Sequence, residues 1–111
     1  YGLTETSPFA SYNHVDQHRH GSIGVPIAGV EMAVVDVTTG ARVAAGERGE
    51  LVIRGANVMA GYMRADNPGV IEPLPEGWHD TGDIVMIGQC QHAHALGCGV
   101  IDQLGRRHEA I

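Results

Sequence analysis

The sequence is short of positive charge and contains no lysine. Its 111 residues include seven basic residues, all of them arginine, against 13 acidic residues, which gives a formal charge of −6. A nucleic-acid partner requires a basic surface for its phosphates, so this balance argues against nucleic-acid binding. Charged residues make up 18% of the chain, below the roughly 25% of an ordinary soluble domain.

Cysteine and long apolar runs are also scarce. Two cysteines are too few for a disulfide scaffold, and we expect an intracellular, cytoplasmic protein. No apolar run approaches the ~20 residues that a membrane span requires, and no signal peptide is recognisable. The first residue is Tyr1 rather than Met, so we expect the chain to lack its natural start.

Glycine, by contrast, is abundant, with 16 residues beside five prolines, which favours turns over long helices. Apolar and β-branched residues predict strands at 31–37, 50–54 and 84–87. Residues 41–43 are predicted to return as a hairpin partner of the first strand, with Gly40 in the turn. The fold class is therefore mainly β, antiparallel, with loops at both ends.

Two polar segments could carry chemistry. In residues 1–6, the ring of Tyr1 can lie beside a base, Gly2 permits close approach of a ligand, and Thr4 offers a hydroxyl to a phosphate. Glu5 offers the hard oxygen ligand that Mg²⁺ prefers.

The second segment, residues 80–83 (D-T-G-D), is predicted to be a turn. A carboxylate on such a turn can accept hydrogen bonds from both hydroxyls of a ribose. Taken alone, each of the two polar segments is more simply a turn or helix cap with solvated polar groups.

Five blocks of sequence, taken together, resemble one family, the adenylate-forming synthetases of the acyl-CoA synthetase and luciferase superfamily. The blocks are Y-G-L-T-E at 1–5, G-S-I-G-V-P at 21–26 with G-V-E at 29–31, G-E-R-G-E-L-V-I-R-G at 46–55, N-V-M-A-G-Y at 57–62 and G-W-H-D-T-G-D-I at 77–84. They follow the family's order and cover residues 1–87. Residues 1–13 and 67–73 further resemble long-chain acyl synthetases, including the synthetase half of bacterial enzymes that load acyl carrier protein.

The resemblance implies a fold and a reaction. Residues 1–87 would be the C-terminal part of a larger α+β AMP-binding domain, as a distorted, barrel-like antiparallel subdomain. A carboxylate, with fatty acids indicated, would attack ATP to give an acyl-adenylate and pyrophosphate. A thiol of coenzyme A, or of a carrier's phosphopantetheine, would then displace AMP. Peripheral membrane association stays open for a long-chain enzyme.

The resemblance also implies site residues, at the positions of this chain that match the family's motifs. Tyr1 would flank the adenine, Gly2 would shape the loop, and Thr4 would contact phosphate. Glu5 would hold Mg²⁺, and Asp83 would bind the ribose hydroxyls. Trp78 and His79 would support the second polar segment and would have no catalytic role.

Parts of the family pattern are missing. The glycine-rich phosphate loop would lie upstream, and the lysine that promotes adenylation would lie in a mobile C-terminal domain. Because this chain has no lysine, we predict that it cannot catalyse adenylation unaided, which measurable ATP–pyrophosphate exchange would refute.

The last residues, 88–111, depart from the family and are interpreted as a divergent tail, by insertion or frameshift, and not a separate domain. The tail contains Cys90, His92, His94 and Cys98, which zinc could accept, but the spacing is not that of structural zinc sites. Exposed side chains are the simpler interpretation, as they are for the loose His14, His18 and His20 cluster.

Two alternatives to an enzyme fragment remain: a non-catalytic truncated remnant, and a small Cys/His metal-binding module.

Overall fold

The computed structural model of the chain describes residues 1–13, 21–88 and 100–106, the last of these by backbone only. The described part of the chain contains eight strands: β1 Ser11–Tyr12, β2 Ser22–Pro26, β3 Val30–Val35, β4 Arg48–Gly55, β5 Gly61–Met63, β6 Ile71–Pro73, β7 His79–Gly88 and β8 Val100–Arg106. Two short 3₁₀ turns, Thr4–Thr6 and Pro75–Gly77, are the helical elements of these residues.

Six of the strands form one antiparallel sheet in the order β1-β2-β8-β7-β4-β3, and β5 and β6 pair separately. The prediction of a mainly β, antiparallel unit is confirmed. Its barrel-like part is wrong, because β1 and β3 lie at opposite edges and the sheet stays open within the described residues. The strand β8, from the segment 88–111, lies between β2 and β7.

The hairpin of β3 and β4 follows the sequence pattern closely. Val30 and Val34 on β3 are buried, and so are Leu51 and Ile53 on β4, as the alternation of apolar residues predicts. After β3 the chain turns back through Gly40, whose φ of +73° suits a residue without Cβ. The predicted return of residues 41–43 is confirmed in short form, by a bridge to the end of β3 and flanking main-chain hydrogen bonds.

The hydrophobic core lies on one face of the large sheet. Its buried members are Ala10, Ile23, Val30, Val34, Leu51, Ile53 and Val85. The ring of Tyr1 packs against this cluster and is partly buried. The first residue of the candidate nucleotide segment is therefore anchored in the core of the sheet.

The predicted turn at residues 80–83 is wrong, because these residues lie within β7. They form a bulge, since Val52 pairs with Asp80 and Glu50 with Ile84, which leaves three residues of β7 opposite Leu51. Within the bulge the hydroxyl of Thr81 donates to the carbonyl of Leu51 at 2.8 Å. A bulge changes the direction in which side chains point, and this one sets the direction of the Asp83 carboxylate.

Candidate functional site

Residues 1–9 form a closed loop that carries most of the candidate site. Gly2 bridges Phe9, and the amide of Leu3 donates to the carbonyl of Pro8 at 2.9 Å. The hydroxyl of Thr6, which is fully buried, accepts from the amide of Leu3 at 3.0 Å and donates to the carbonyl of Pro8 at 2.8 Å. These bonds fix the 3₁₀ turn that presents residues 4 and 5.

The glycine at position 2 is required by close approach of the backbone. A Cβ built on Gly2 would lie 2.0 Å from the carbonyl oxygen of Pro8, well inside contact distance. Any larger residue would therefore push the two sides of the loop apart.

A shallow depression of about 330 Å³ lies on this loop, lined by Tyr1, Gly2, Leu3, Thr4, Pro8 and Phe9. Three of the sequence-predicted site residues thus share one concave surface. The ring of Phe9 is 68% exposed at its rim, so the surface offers aromatic and main-chain contacts together. Such a lining suits a planar, partly apolar group.

The side chain of Glu5 lies next to β5. Its Oε1 accepts a hydrogen bond from the hydroxyl of Tyr62 at 3.0 Å. A main-chain hydrogen bond to the Glu5 carboxylate holds its pKa below the ordinary value; partial burial opposes this, while the Tyr62 hydroxyl and the charge of His79 add to it. The carboxylate is therefore ionised at neutral pH.

The carboxylate of Asp83 is buried, with 6% of the residue exposed. The main-chain amide of Asp83 donates to the Thr81 hydroxyl at 3.1 Å, so the bulge in β7 orients this residue. The Oδ2 atom of Asp83 accepts a hydrogen bond from the hydroxyl of Tyr1. The two polar segments, 82 positions apart in the sequence, thus meet directly.

Among the described residues, no group of three or more His, Cys, Asp or Glu side chains is placed to hold a metal ion. A lone carboxylate such as Glu5 still fits Mg²⁺, because this ion keeps several waters and takes only one or two protein carboxylates beside substrate phosphates. The Cys90, His92, His94 and Cys98 set and the His14, His18 and His20 cluster lie outside the described residues.

Residues 78 and 79 precede the bulge. Two guanidinium groups lie near the ring of Trp78, that of Arg54 4.5 Å and that of Arg42 5.8 Å from its centroid. His79 is 5% exposed and packs against Tyr62 with ring centroids 6.2 Å apart. The contacts of Trp78 and His79 connect β7 to its neighbours.

Two further side chains bind the loop, and the sequence pattern does not indicate either of them. Tyr62 contacts Glu5, and the side-chain amide of Asn57 donates to the carbonyls of Thr6 and Phe9 at 2.8 and 2.6 Å. The N-V-M-A-G-Y block was noticed as a family signature, but nothing in its spacing indicates contact with residues some 50 positions away.

Comparison with known proteins assigns the family. The family model described as AMP-binding enzyme matches residues 1–63, more than half of the chain. The chain belongs to the AMP-binding enzyme family. The resemblance drawn from the five sequence blocks is confirmed.

The relatives of this chain include ligases and acyl-activating enzymes. A long-chain-fatty-acid–CoA ligase from Salmonella typhimurium is 41% identical over 90 residues, which are 80% of this chain and 16% of the relative. A probable acyl-activating enzyme 16 of chloroplasts from Arabidopsis thaliana is 38% identical, covering 100% of this chain and 16% of the relative. The chain thus spans about one sixth of the length of these relatives.

A solved structure shares the fold. ATP-bound MatB from Rhodopseudomonas palustris superposes with a TM-score of 0.73 at 32% identity, over 96% of this chain and 20% of that protein. Within the described residues of this chain, no helix is long and apolar enough to cross a membrane.

Proposed function

We propose that this chain is the part of an ATP-dependent, AMP-forming carboxylate–CoA ligase that holds the nucleotide and its magnesium ion. The observation that carries the proposal is the hydrogen bond between Tyr1 and Asp83, which brings the two polar segments of the family signature into one site. The family match to residues 1–63 supports it from the side of sequence.

The loop offers a distinct contact to each part of the nucleotide. The depression beside Tyr1 and Gly2 would receive the adenine, and the exposed hydroxyl of Thr4 would donate to a phosphate oxygen. Asp83, which the family resemblance assigns to the ribose, would accept hydrogen bonds from the ribose hydroxyls.

The Glu5 carboxylate, ionised at neutral pH, would hold Mg²⁺. When bound, that ion would neutralise charge on the phosphates. Such a site needs electrostatic stabilisation more than a general base, because the attacking carboxylate is already ionised at pH 7. The reaction gives an acyl-adenylate and pyrophosphate, and a thiolate then displaces AMP.

The substrate is proposed to be a fatty acid and the thiol that of coenzyme A. The support for both is the name of the Salmonella relative, a long-chain-fatty-acid–CoA ligase. That name does not mention a carrier protein, and we therefore do not extend the proposal to carrier phosphopantetheine. The alternative of a Cys/His metal-binding module falls on residues 90–98, outside the described residues.

The test is calorimetric titration of the 111-residue chain with ATP and with 2′,3′-dideoxy-ATP, both with Mg²⁺. Removing a charged acceptor of a ligand hydrogen bond costs ~1.5–3 kcal/mol, so Asp83→Asn should weaken ATP about tenfold or more. Dideoxy-ATP lacks the ribose hydroxyls, and it should bind the wild type and Asp83→Asn alike. An equal loss for both nucleotides would show that Asp83 does not bind the ribose, and no ATP binding by the wild type would refute the proposal.

A further inference from the structure

Three residues from the connection after β4 and from β5 bind the loop of residues 1–9 with four hydrogen bonds. The side-chain amide of Asn57 donates to the carbonyls of Thr6 and Phe9 at 2.8 and 2.6 Å. The main-chain amide of Met59 donates to the carbonyl of Glu5 at 2.8 Å. The hydroxyl of Tyr62 donates to Oε1 of Glu5 at 3.0 Å.

These contacts restrain both ends of the same residue. The bond from Met59 fixes the main chain of Glu5, and the bond from Tyr62 fixes its carboxylate. A glutamate side chain loses considerable rotamer freedom when it is ordered. A donor that holds one oxygen in place removes part of that loss before any cation binds.

The geometry leaves room for a ligand. Tyr62 binds Oε1 of Glu5, and a carboxylate has two oxygens with about four acceptor sites. The Tyr62 hydroxyl and the main-chain hydrogen bond to this carboxylate therefore do not fill its acceptor sites, and the remaining ones can face a cation.

The Asn57 side chain has one oxygen atom that destabilises the fold. Its Oδ1 is buried and has no hydrogen-bond partner among the described residues, although a buried unsatisfied oxygen destabilises a protein. Its nitrogen makes both bonds to the loop, which sets the orientation of the amide. An aspartate of the same shape would place a carboxylate oxygen against two carbonyls.

The ring of Tyr62 is itself placed by a buried neighbour. His79 lies 6.2 Å away between ring centroids, tilted by 57°, an arrangement that aromatic pairs favour. Tyr62 is otherwise 50% exposed. Tyr62 therefore binds Glu5 through its hydroxyl and contacts His79 through its ring, while half of the residue stays exposed to solvent.

We propose that Tyr62 is a positioning residue for the Glu5 carboxylate, and that Asn57 and the Met59 amide support the loop beneath it. The N-V-M-A-G-Y block thereby acts as a clamp that preorganises a magnesium ligand. This inference rests on the proposed function for the metal itself, but the restraint on the Glu5 side chain does not depend on it.

The experiment compares Tyr62→Phe with Tyr12→Phe in the full 111-residue chain. Both variants remove one hydroxyl from a half-exposed tyrosine, 50% exposed at Tyr62 and 46% at Tyr12. Two quantities are measured: rotamer averaging of Glu5 without nucleotide, from NMR side-chain couplings, and the ratio of the ATP dissociation constants in EDTA and in Mg²⁺.

Tyr62→Phe should increase rotamer averaging at Glu5. It should also reduce the magnesium-dependent gain in ATP affinity about tenfold, because loss of a residue that orients a metal ligand lowers metal affinity by ~10–100-fold. Its ATP affinity in EDTA should be unchanged. Tyr12→Phe should change neither quantity. Asn57→Asp should act in the same direction as Tyr62→Phe.

The outcomes separate the two proposals. Unchanged Glu5 averaging in Tyr62→Phe would overturn the positioning role, and so would an unchanged magnesium-dependent gain, even if the wild type binds Mg·ATP well. Increased averaging in a chain whose ATP affinity does not respond to magnesium would support the restraint and refute the proposed function. A loss of affinity in EDTA as large as that in Mg²⁺ would show a structural defect and also overturn the positioning role.

Discussion

The hydrogen bond between Tyr1 and Asp83 can be measured by a double-mutant cycle of Tyr1→Phe and Asp83→Asn. The bond joins a partly buried phenol to a carboxylate that is 6% exposed. Hydrogen bonds to charged groups contribute ~1.5–3 kcal/mol, so each single variant should lower the free energy of unfolding by about 2 kcal/mol.

The coupling energy isolates the pair from the other contacts of each residue. Groups that touch show coupling of ~0.5–3 kcal/mol, whereas distant sites add within ~0.3–0.5 kcal/mol. We expect the upper half of the first range, because water does not screen a buried pair well.

The free energy of unfolding is measured by urea denaturation, monitored by circular dichroism. The control is a second cycle in which Tyr62→Phe replaces Tyr1→Phe. Tyr62 contacts Glu5 and His79, so its cycle with Asp83→Asn should be additive. A Tyr1–Asp83 coupling within ~0.3 kcal/mol, no larger than that of the control, would refute the direct contact between the two segments.

Three further predictions concern the loop. Gly2→Ala places a Cβ 2.0 Å from the Pro8 carbonyl and should destabilise the chain by ~1–3 kcal/mol, as overpacking does; a urea midpoint equal to the wild type would contradict the close approach. Thr6→Val removes the buried hydroxyl that closes the loop and should cost ~1–3 kcal/mol, while Thr6→Ser should cost less; equal midpoints for the two variants would contradict the role of the hydroxyl. The pKa of Glu5 is lowered in the folded chain, so its contribution to stability is present above the ordinary pKa and is lost as the pH falls through the lowered one. Unfolding measured at a series of pH values below 4.5 should therefore show a steeper loss for the wild type than for Glu5→Gln; identical slopes would contradict the shift.

Much of the fold could be predicted because the relevant information is local. The alternation at Leu51 and Ile53 and the glycine turn after β3 depend on neighbouring residues, and both predictions are confirmed. The bulge in β7 could not be predicted in this way. It depends on the Thr81 hydroxyl, which binds a carbonyl 30 positions away.

In the candidate site, too, the sequence predicts which residues matter but not the contacts between distant segments. Motif resemblance indicated Tyr1, Glu5 and Asp83, but only the structure shows that Tyr1 and Asp83 touch. The roles of Asn57 and Tyr62 were missed because their contacts reach residues 48 to 57 positions away. A pattern of residue types does not carry such distances, and an antiparallel sheet brings together segments far apart in sequence.

The central claim, that one nucleotide binds across both polar segments, is tested most directly by titrating the ¹⁵N-labelled chain with Mg·ATP and following amide chemical shifts. The account predicts saturable shifts in residues 1–9 and in the bulge at 81–83 with a common dissociation constant. Shifts confined to one of these segments, or spread over β5 and β6 without either, would contradict it.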